Sequence, residues 1–147
     1  MSAGAAGDAM EVKVSQVEGV RFAVTARCHE LISDQPTENG GNDTGMTPPE
    51  LLLSALGSCA AYYAAEYLRT RKLADTGLEV RVTAEKLLQP ARLGNFVVWA
   101  SCPVPLNDAQ YEGLQRAVCH CLIHNSLNSP AEIHVEPAVS EPAHAGR

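Results

Sequence analysis

Thr47-Pro48-Pro49-Glu50-Leu51-Leu52-Leu53-Ser54-Ala55-Leu56-Gly57-Ser58-Cys59-Ala60-Ala61-Tyr62-Tyr63-Ala64 is the stretch on which the reading of the fold turns. Thr47 suits an N-cap, Pro48 suits the first helical position, and Glu50 completes a Thr-x-x-Glu capping box. The helix so started is predicted to run from about Pro48 to about Lys72, with Arg69, Arg71 and Lys72 at its negative end. Over its first two-thirds apolar residues recur on every side, the pattern of a helix buried all round. Gly57 and Ala60 are small enough to let another element pack closely. A chain of 147 residues has little material left to cover such a helix, so a homodimer whose partner helps to bury it is expected.

Working outward, Val12, Val14 and Val17, a turn at Glu18-Gly19, and Phe22, Val24 and Ala26 predict a β-hairpin. Ser33 to Gly45 collects Asp34, Pro36, Asn39, Gly40, Gly41, Asn42 and Asp43, turn formers without the spacing of a calcium loop. Beyond the helix, Leu78, Val80, Val82 and Ala84 alternate with polar residues. A turn at Pro90 to Gly94 and a return strand over Asn95 to Ser101 follow. Asn107 or Asp108 then caps a second helix with Tyr111, Leu114, Val118, Cys121 and Leu122 along its apolar stripe. Asn125 to Pro130 ends that helix, and Ile133 and Val135 mark a last short strand. The order is β-β-α-β-β-α-β, an α+β fold with helices packed on antiparallel strands. One domain over residues 10–137 is expected, between a flexible arm at 1–9 and a loose tail at 138–147.

The net charge of −6 comes without any dense basic run, which argues against nucleic acid as a partner. No apolar run approaches the roughly 20 residues of a membrane span. The opening residues lack the basic and apolar regions of a secretory signal. A cytoplasmic protein that does not engage membranes is expected. Five cysteines, an odd number, then suggest reduced thiols rather than a disulfide framework.

Cys59 lies mid-helix, and Cys121 lies in Cys119-His120-Cys121-Leu122-Ile123-His124, so only folding brings the two together. On one continuous helix Cys121 and His124 share a face while Cys119 points nearly opposite. That disfavours a Cys119–Cys121 disulfide and keeps the two thiols from sharing one metal ion. Cys28-His29 would have to arrive from the hairpin, so a metal site is not expected. The residue types leave Cys59 and Cys121 open to a plain role as small buried hydrophobes. His124 reads as a packing residue or a hydrogen-bond partner for a thiol. Tyr62, Tyr63, Tyr67 and Trp99 read as core or interface residues.

The run from Gly40 through Cys59 resembles the signature segment of the OsmC/Ohr family: a Gly-rich loop, a Pro-x-Glu-Leu-Leu helix start and a small-small-Cys mid-helix. Cys121-Leu122-Ile123-His124-Asn125-Ser126-Leu127 is similar to the family's second signature, usually Cys-Pro-x-His or Cys-Pro-x-Ser. The resemblance spans roughly Glu11 to Pro137 and implies an intertwined homodimer and a thiol peroxidase without metal or organic cofactor. It implies that Cys59 attacks an organic hydroperoxide as a thiolate and becomes a sulfenic acid. Cys121 then condenses with it to a disulfide, which a cellular dithiol reduces. Family peroxidases activate the nucleophile with a hairpin arginine and a glutamate at the start of the central helix. Here Pro49 stands at the glutamate position with Glu50 one residue on, and Val17 stands at the arginine position with Arg21 and Arg27 nearby. The catalytic candidates are therefore Cys59, Cys121, Glu50, Arg27 and Arg21. Two other readings stand beside the peroxidase: a binding module holding an apolar small molecule in the dimer groove, and a redox sensor that forms the disulfide without turnover.

Overall fold

The computed structural model describes residues 7–128. Three strands come first: β1 (Lys13–Glu18), β2 (Arg21–Ala26) and β3 (His29–Ser33), forming an antiparallel sheet in the order β1-β2-β3. The expected hairpin is its first half. Val14 pairs with Val24, and a bulge between Gln16 and Glu18 ends the ladder at Gly19, whose φ of 53° the turn requires. The third strand went unforeseen. Its turn holds Arg27 at φ 55°, a conformation usually marked by Gly or Asn, and no such residue announces it.

Between β3 and the long helix, a single carboxylate organises the loop. Asp34 is 1% exposed; Gln35 N–H donates to its Oδ1 at 2.8 Å, and Asn42 N–H and Thr44 N–H donate to its Oδ2 at 3.2 and 3.1 Å. The Thr44 hydroxyl adds a fourth bond at 2.7 Å. Gly41 lies so close to this centre that a Cβ there would collide with the Gln35 carbonyl and the Asp34 carboxylate. Ser33 Oγ donates to the Met46 carbonyl at 3.0 Å, which sets where the next helix begins.

Helix α1 (Pro48–Thr70) opens as the sequence predicts: Thr47 N–H donates to Glu50 Oε2 at 2.7 Å within a capping box. Its buried residues are Leu56, Ala60, Ala64, Tyr67 and Leu68, one face at helical spacing. The opposite side is open in the single chain, with Leu52 37% and Tyr62 62% exposed, so burial all round is not seen there. Gly57 admits β4 (Glu79–Leu87), the Val82 Cγ2 lying 3.0 Å from where a Cβ would sit. Strand β4 pairs antiparallel with β5 (Arg92–Ser101), which starts earlier than expected because the turn closes over residues 88–91. In β4, Val80, Val82 and Ala84 turn inward while Glu79, Arg81, Thr83 and Glu85 face out, the alternation the sequence shows. Trp99 faces outward too, with the Arg81 guanidinium 4.3 Å above its ring.

The second helix is where the structure departs furthest from expectation. Helix α2 (Asp108–Cys119), capped by Asn107 accepting from Gln110 N–H at 2.8 Å, stops at Cys119, and a separate short helix α3 (Leu122–Ser126) follows. Leu114 of α2 joins Ala64, Tyr67 and Leu68 in the core, with Leu73, Leu78, Cys102, Leu106 and Val118 packed around them. The strand expected at Ile133 and Val135 lies outside the described residues.

The loop generates two predictions. Gly41→Ala places a methyl against fixed backbone and is expected to cost about 1–3 kcal/mol by urea denaturation. Asp34 is held at about 2 against an ordinary 3.8, chiefly by the Thr44 hydroxyl and then by the three amides, against the opposing effect of burial. A lowered carboxylate pKa contributes stability that is complete above the ordinary value and lost as pH falls through the folded one. Asp34→Asn is therefore expected to be less stable near neutrality. It should also show a flatter decline between pH 3.8 and about 2, followed by circular dichroism.

Candidate functional site

Cys59 sits in the middle of α1, one position before the fully buried Ala60, so its side chain emerges at the boundary between the core face and the open face. It is half-buried and lines a shallow groove of about 450 Å³ with Ala55, Ser58, Tyr62, Leu122 and Ile123. The Tyr62 ring meets Tyr63 edge-on, centroids 5.3 Å apart, and gives the groove an aromatic wall.

Cys121 is 1% exposed and is the N-cap of α3 at φ −56°, ψ 126°. The continuous-helix geometry for Cys119, Cys121 and His124 does not hold. The last turn of α2 tightens, with His120 N–H donating to the Ala117 carbonyl at 3.2 Å and Cys121 N–H to the Val118 carbonyl at 3.1 Å. The chain then turns out of the helix at Cys121 and restarts. Cys119 ends one helix, Cys121 begins the next, and their side chains are not related by one helical axis.

This restart brings the two cysteines together. The first amides of a helix have no carbonyl partner within it. The start of α3 lies against Cys59, with Leu122 and Ile123 lining the same groove, and hydrogen bonding from the Cys121 thiol and from the Leu122 and Ile123 amides favours the Cys59 thiolate. Burial pushes the Cys59 thiol up, but the Cys121 thiol and the two amides outweigh it, and the net position is below that of an ordinary thiol. Cys121 moves the opposite way, raised by burial first and then by donating to Cys59. The pair therefore favours a thiolate on Cys59 and a neutral thiol on Cys121.

The proposed activators are placed elsewhere in the single chain. Glu50 precedes Cys59 by nine residues, about 13.5 Å along the axis and half a turn around, and its carboxylate is engaged by the Thr47 amide. Arg21 is half-buried at the start of β2 with its Nε unpartnered, and Arg27 is exposed in the turn between β2 and β3. None of the three is among the groups that act on the Cys59 sulfur. Cys28 and His29 lie exposed at that same turn, Sγ to Nε2 3.8 Å. His124 is exposed, and it is its backbone amide that faces the Cys121 sulfur. Sequence reasoning missed the Leu122 and Ile123 amides. The available signal was Leu122 itself, a residue with an N–H where the resembled motif carries proline.

A larger cleft of about 700 Å³, which Cys121 lines and Cys59 does not, opens between α1, β5, α2 and α3. Phe96, Val98, Leu114 and Val118 supply its apolar walls, and Cys119 and Cys121 both line it.

A family model described as OsmC-like protein matches residues 40–136. No curated protein sequence matches the chain. Among solved structures, a protein from Psychrobacter arcticus 273-4 described as an osmotic stress induced and detoxification response protein aligns with a TM-score of 0.74 at 20% identity, covering 86% of this chain and 93% of that one. An OsmC-like protein from Mycoplasma pneumoniae aligns with a TM-score of 0.70 at 16% identity, covering 83% and 89%. An organic hydroperoxide resistance protein OsmC from Legionella pneumophila aligns at 0.63 and 17%, covering 85% and 93%. At these identities the likeness is one of fold.

The donors at Cys59 can be removed one at a time. Cys121→Ala deletes the thiol donor and Leu122→Pro deletes one amide. Each is expected to raise the midpoint of Cys59 alkylation by iodoacetamide, measured by peptide mass against pH. Cys121→Ser keeps an O–H donor and should fall between wild type and Cys121→Ala.

Proposed function

Because the chain belongs to the OsmC-like protein family, we propose that it is a cysteine-based thiol peroxidase reducing organic hydroperoxides, with Cys59 as the attacking sulfur and Cys121 as the resolving one. What carries this reading is the start of α3 packed at Cys59, where Leu122 and Ile123 line its groove, together with the opposite shifts of the two thiols, Cys59 lowered and Cys121 raised. A peroxide is cleaved by a thiolate, and a thiolate needs donors around it.

In the proposed reaction the Cys59 thiolate attacks the terminal oxygen of R–O–O–H. The S–O bond forms as the O–O bond breaks, and the alkoxide leaves as alcohol after taking a proton. Cys121, already directed at that sulfur, is the nearest proton source and is left as the thiolate. That thiolate attacks the Cys59 sulfenic acid, an S–S bond forms, and hydroxide leaves as water. A dithiol reductant then returns both cysteines to thiols and is itself oxidised to a disulfide. The walls of the groove at Cys59, formed by Ala55, Tyr62, Leu122 and Ile123, suit an alkyl or aryl group on the peroxide.

The same reading makes the protein a cytoplasmic homodimer. In support, every residue of β1 is exposed, and Met10, Val12, Val14 and Val17 present apolar surface that a single chain leaves in water. Partner coverage of the open face of α1 would also change what surrounds Cys59, and is where a cation from Arg21 or Arg27 could enter.

A second reading, a binding module for an apolar small molecule, draws on the larger cleft beside Phe96 and Leu114. One experiment separates the two: intact mass of the reduced protein before and after one equivalent of cumene hydroperoxide. The peroxidase reading expects loss of two hydrogens in the wild type, one added oxygen in Cys121→Ser, and no catalysed peroxide consumption in Cys59→Ser. Unchanged masses in all three, with a small molecule co-purifying in the cleft, would establish the binding module instead.

A further inference from the structure

Once Cys59 and Cys121 are joined, the oxidised site faces a problem of access. Cys121 is 1% exposed, and Cys59 is half-buried in its groove. Thiol–disulfide exchange requires the incoming sulfur to reach one of the bonded pair, so access decides the rate. A third thiol stands within reach of the buried sulfur. Cys119 is exposed, two residues before Cys121, and the two line the same cleft.

We propose that Cys119 is a relay thiol, which attacks Cys121 within the Cys59–Cys121 disulfide and carries the oxidation to a surface Cys119–Cys121 disulfide, where the dithiol reductant acts. This rests on the peroxidase reading for the origin of the first disulfide.

The geometry supports the step in three ways. First, exchange at sulfur is in line, with the entering and leaving sulfurs on opposite sides of the one attacked. Cys121 lines the cleft that Cys119 lines and Cys59 does not, so an approach from Cys119 does not come through the groove that Cys59 occupies. Second, the backbone allows the product. Residues joined through His120 at φ −84°, ψ 7° have Cα atoms about 5–6 Å apart, given the fixed spacing of consecutive Cα atoms. That falls inside the roughly 4.4–6.8 Å that disulfides span. His120 and Cys121 lie between the two helices, tied back by the short-range amide bonds at 3.2 and 3.1 Å and forward by the Asn125 N–H on the Cys121 carbonyl, so closing the pair draws on the link between α2 and α3. Third, the leaving group is favourable. The Cys59 thiolate departs into the donors that stabilise it, and a more stable thiolate leaves faster.

The chemistry balances without any added oxidant. Cys119 loses its proton to solvent and attacks the Cys121 sulfur. The new S–S bond forms as the old one breaks, and its electron pair leaves on Cys59. The dithiol then attacks the exposed Cys119 sulfur, and its second thiol resolves the mixed disulfide. Cys119 and Cys121 take up two protons, and the reductant is released as a disulfide.

The test uses the full chain in a Cys28→Ser background, so that the tryptic peptide 28–69 holds Cys59 as its one thiol, while peptide 117–147 holds both Cys119 and Cys121. The reduced protein is oxidised with one equivalent of cumene hydroperoxide, or in parallel with diamide, then alkylated and mapped over time. The relay expects the cross-linked pair 28–69/117–147 first, then its replacement by free, alkylated Cys59 and an internally bonded 117–147. Cys119→Ser should lose the second species altogether, and its oxidised form should be reduced more slowly by dihydrolipoic acid. If only the cross-linked pair forms, or if Cys119→Ser is reduced as fast as the background protein, the relay is wrong. Failure with peroxide but the expected sequence with diamide would instead strike the peroxidase reading and leave the relay standing.

Discussion

The packing of one face of α1, along Leu56, Ala60, Ala64 and Leu68, sets the position of the helices and strands that follow it, β4, β5, α2 and α3. These residues recur every four positions, and Ala60 and Ala64 are too small to hold a neighbour away. Leu114 and Val118 of α2 close against one end of this face, while Val80 and Val82 of β4 lie over Gly57 at the other. Cys59 occupies the position just before Ala60, about 100° around the helix from it. Its thiol is thereby held at the margin of the core, neither sealed in nor free in solvent. Shifting the cysteine one residue along would carry it into the packed face at Ala60 or out to the exposed Ser58.

The perturbation at that margin comes from fixed groups rather than from charge. Two amides at the start of α3 and one thiol favour the Cys59 thiolate, and no charged side chain among the described residues joins them. Backbone dipoles are set by the course of the chain and need no side-chain ordering. The replacement of proline by Leu122 in the second motif fits this arrangement, since proline would have no N–H to offer.

Elements governed by short-range patterns were legible in the sequence. The capping box at Thr47 and Glu50, the Glu18-Gly19 turn and the in–out alternation of β4 all depend on neighbours a few residues apart. Strand β3 was not legible, because the turn before it is made by Arg27 in a left-handed conformation with no glycine to mark it. The end of α2 was hidden for a similar reason. Neither glycine nor proline interrupts Cys119-His120-Cys121-Leu122, and a cysteine is an uncommon N-cap. An apolar stripe that continued through Cys121 and Leu122 read as one helix. At the site, the two cysteines were legible as residue types, and family resemblance suggested considering them together. The amides that act on Cys59 were not, since every residue but proline carries one and only the restart of the chain aims them.

Strand β1 raises a different matter, that of negative selection against fibrous association. It is an edge strand, exposed along its whole length, and such an edge is a ready template for another chain's backbone. Its ladder is interrupted by the bulge between Gln16 and Glu18, and charges stand at both ends, Lys13 and Glu18. A bulge twists the strand, and charges oppose flat stacking. The sheet can thus expose an apolar face while its edge resists the strand-by-strand extension that builds a fibre.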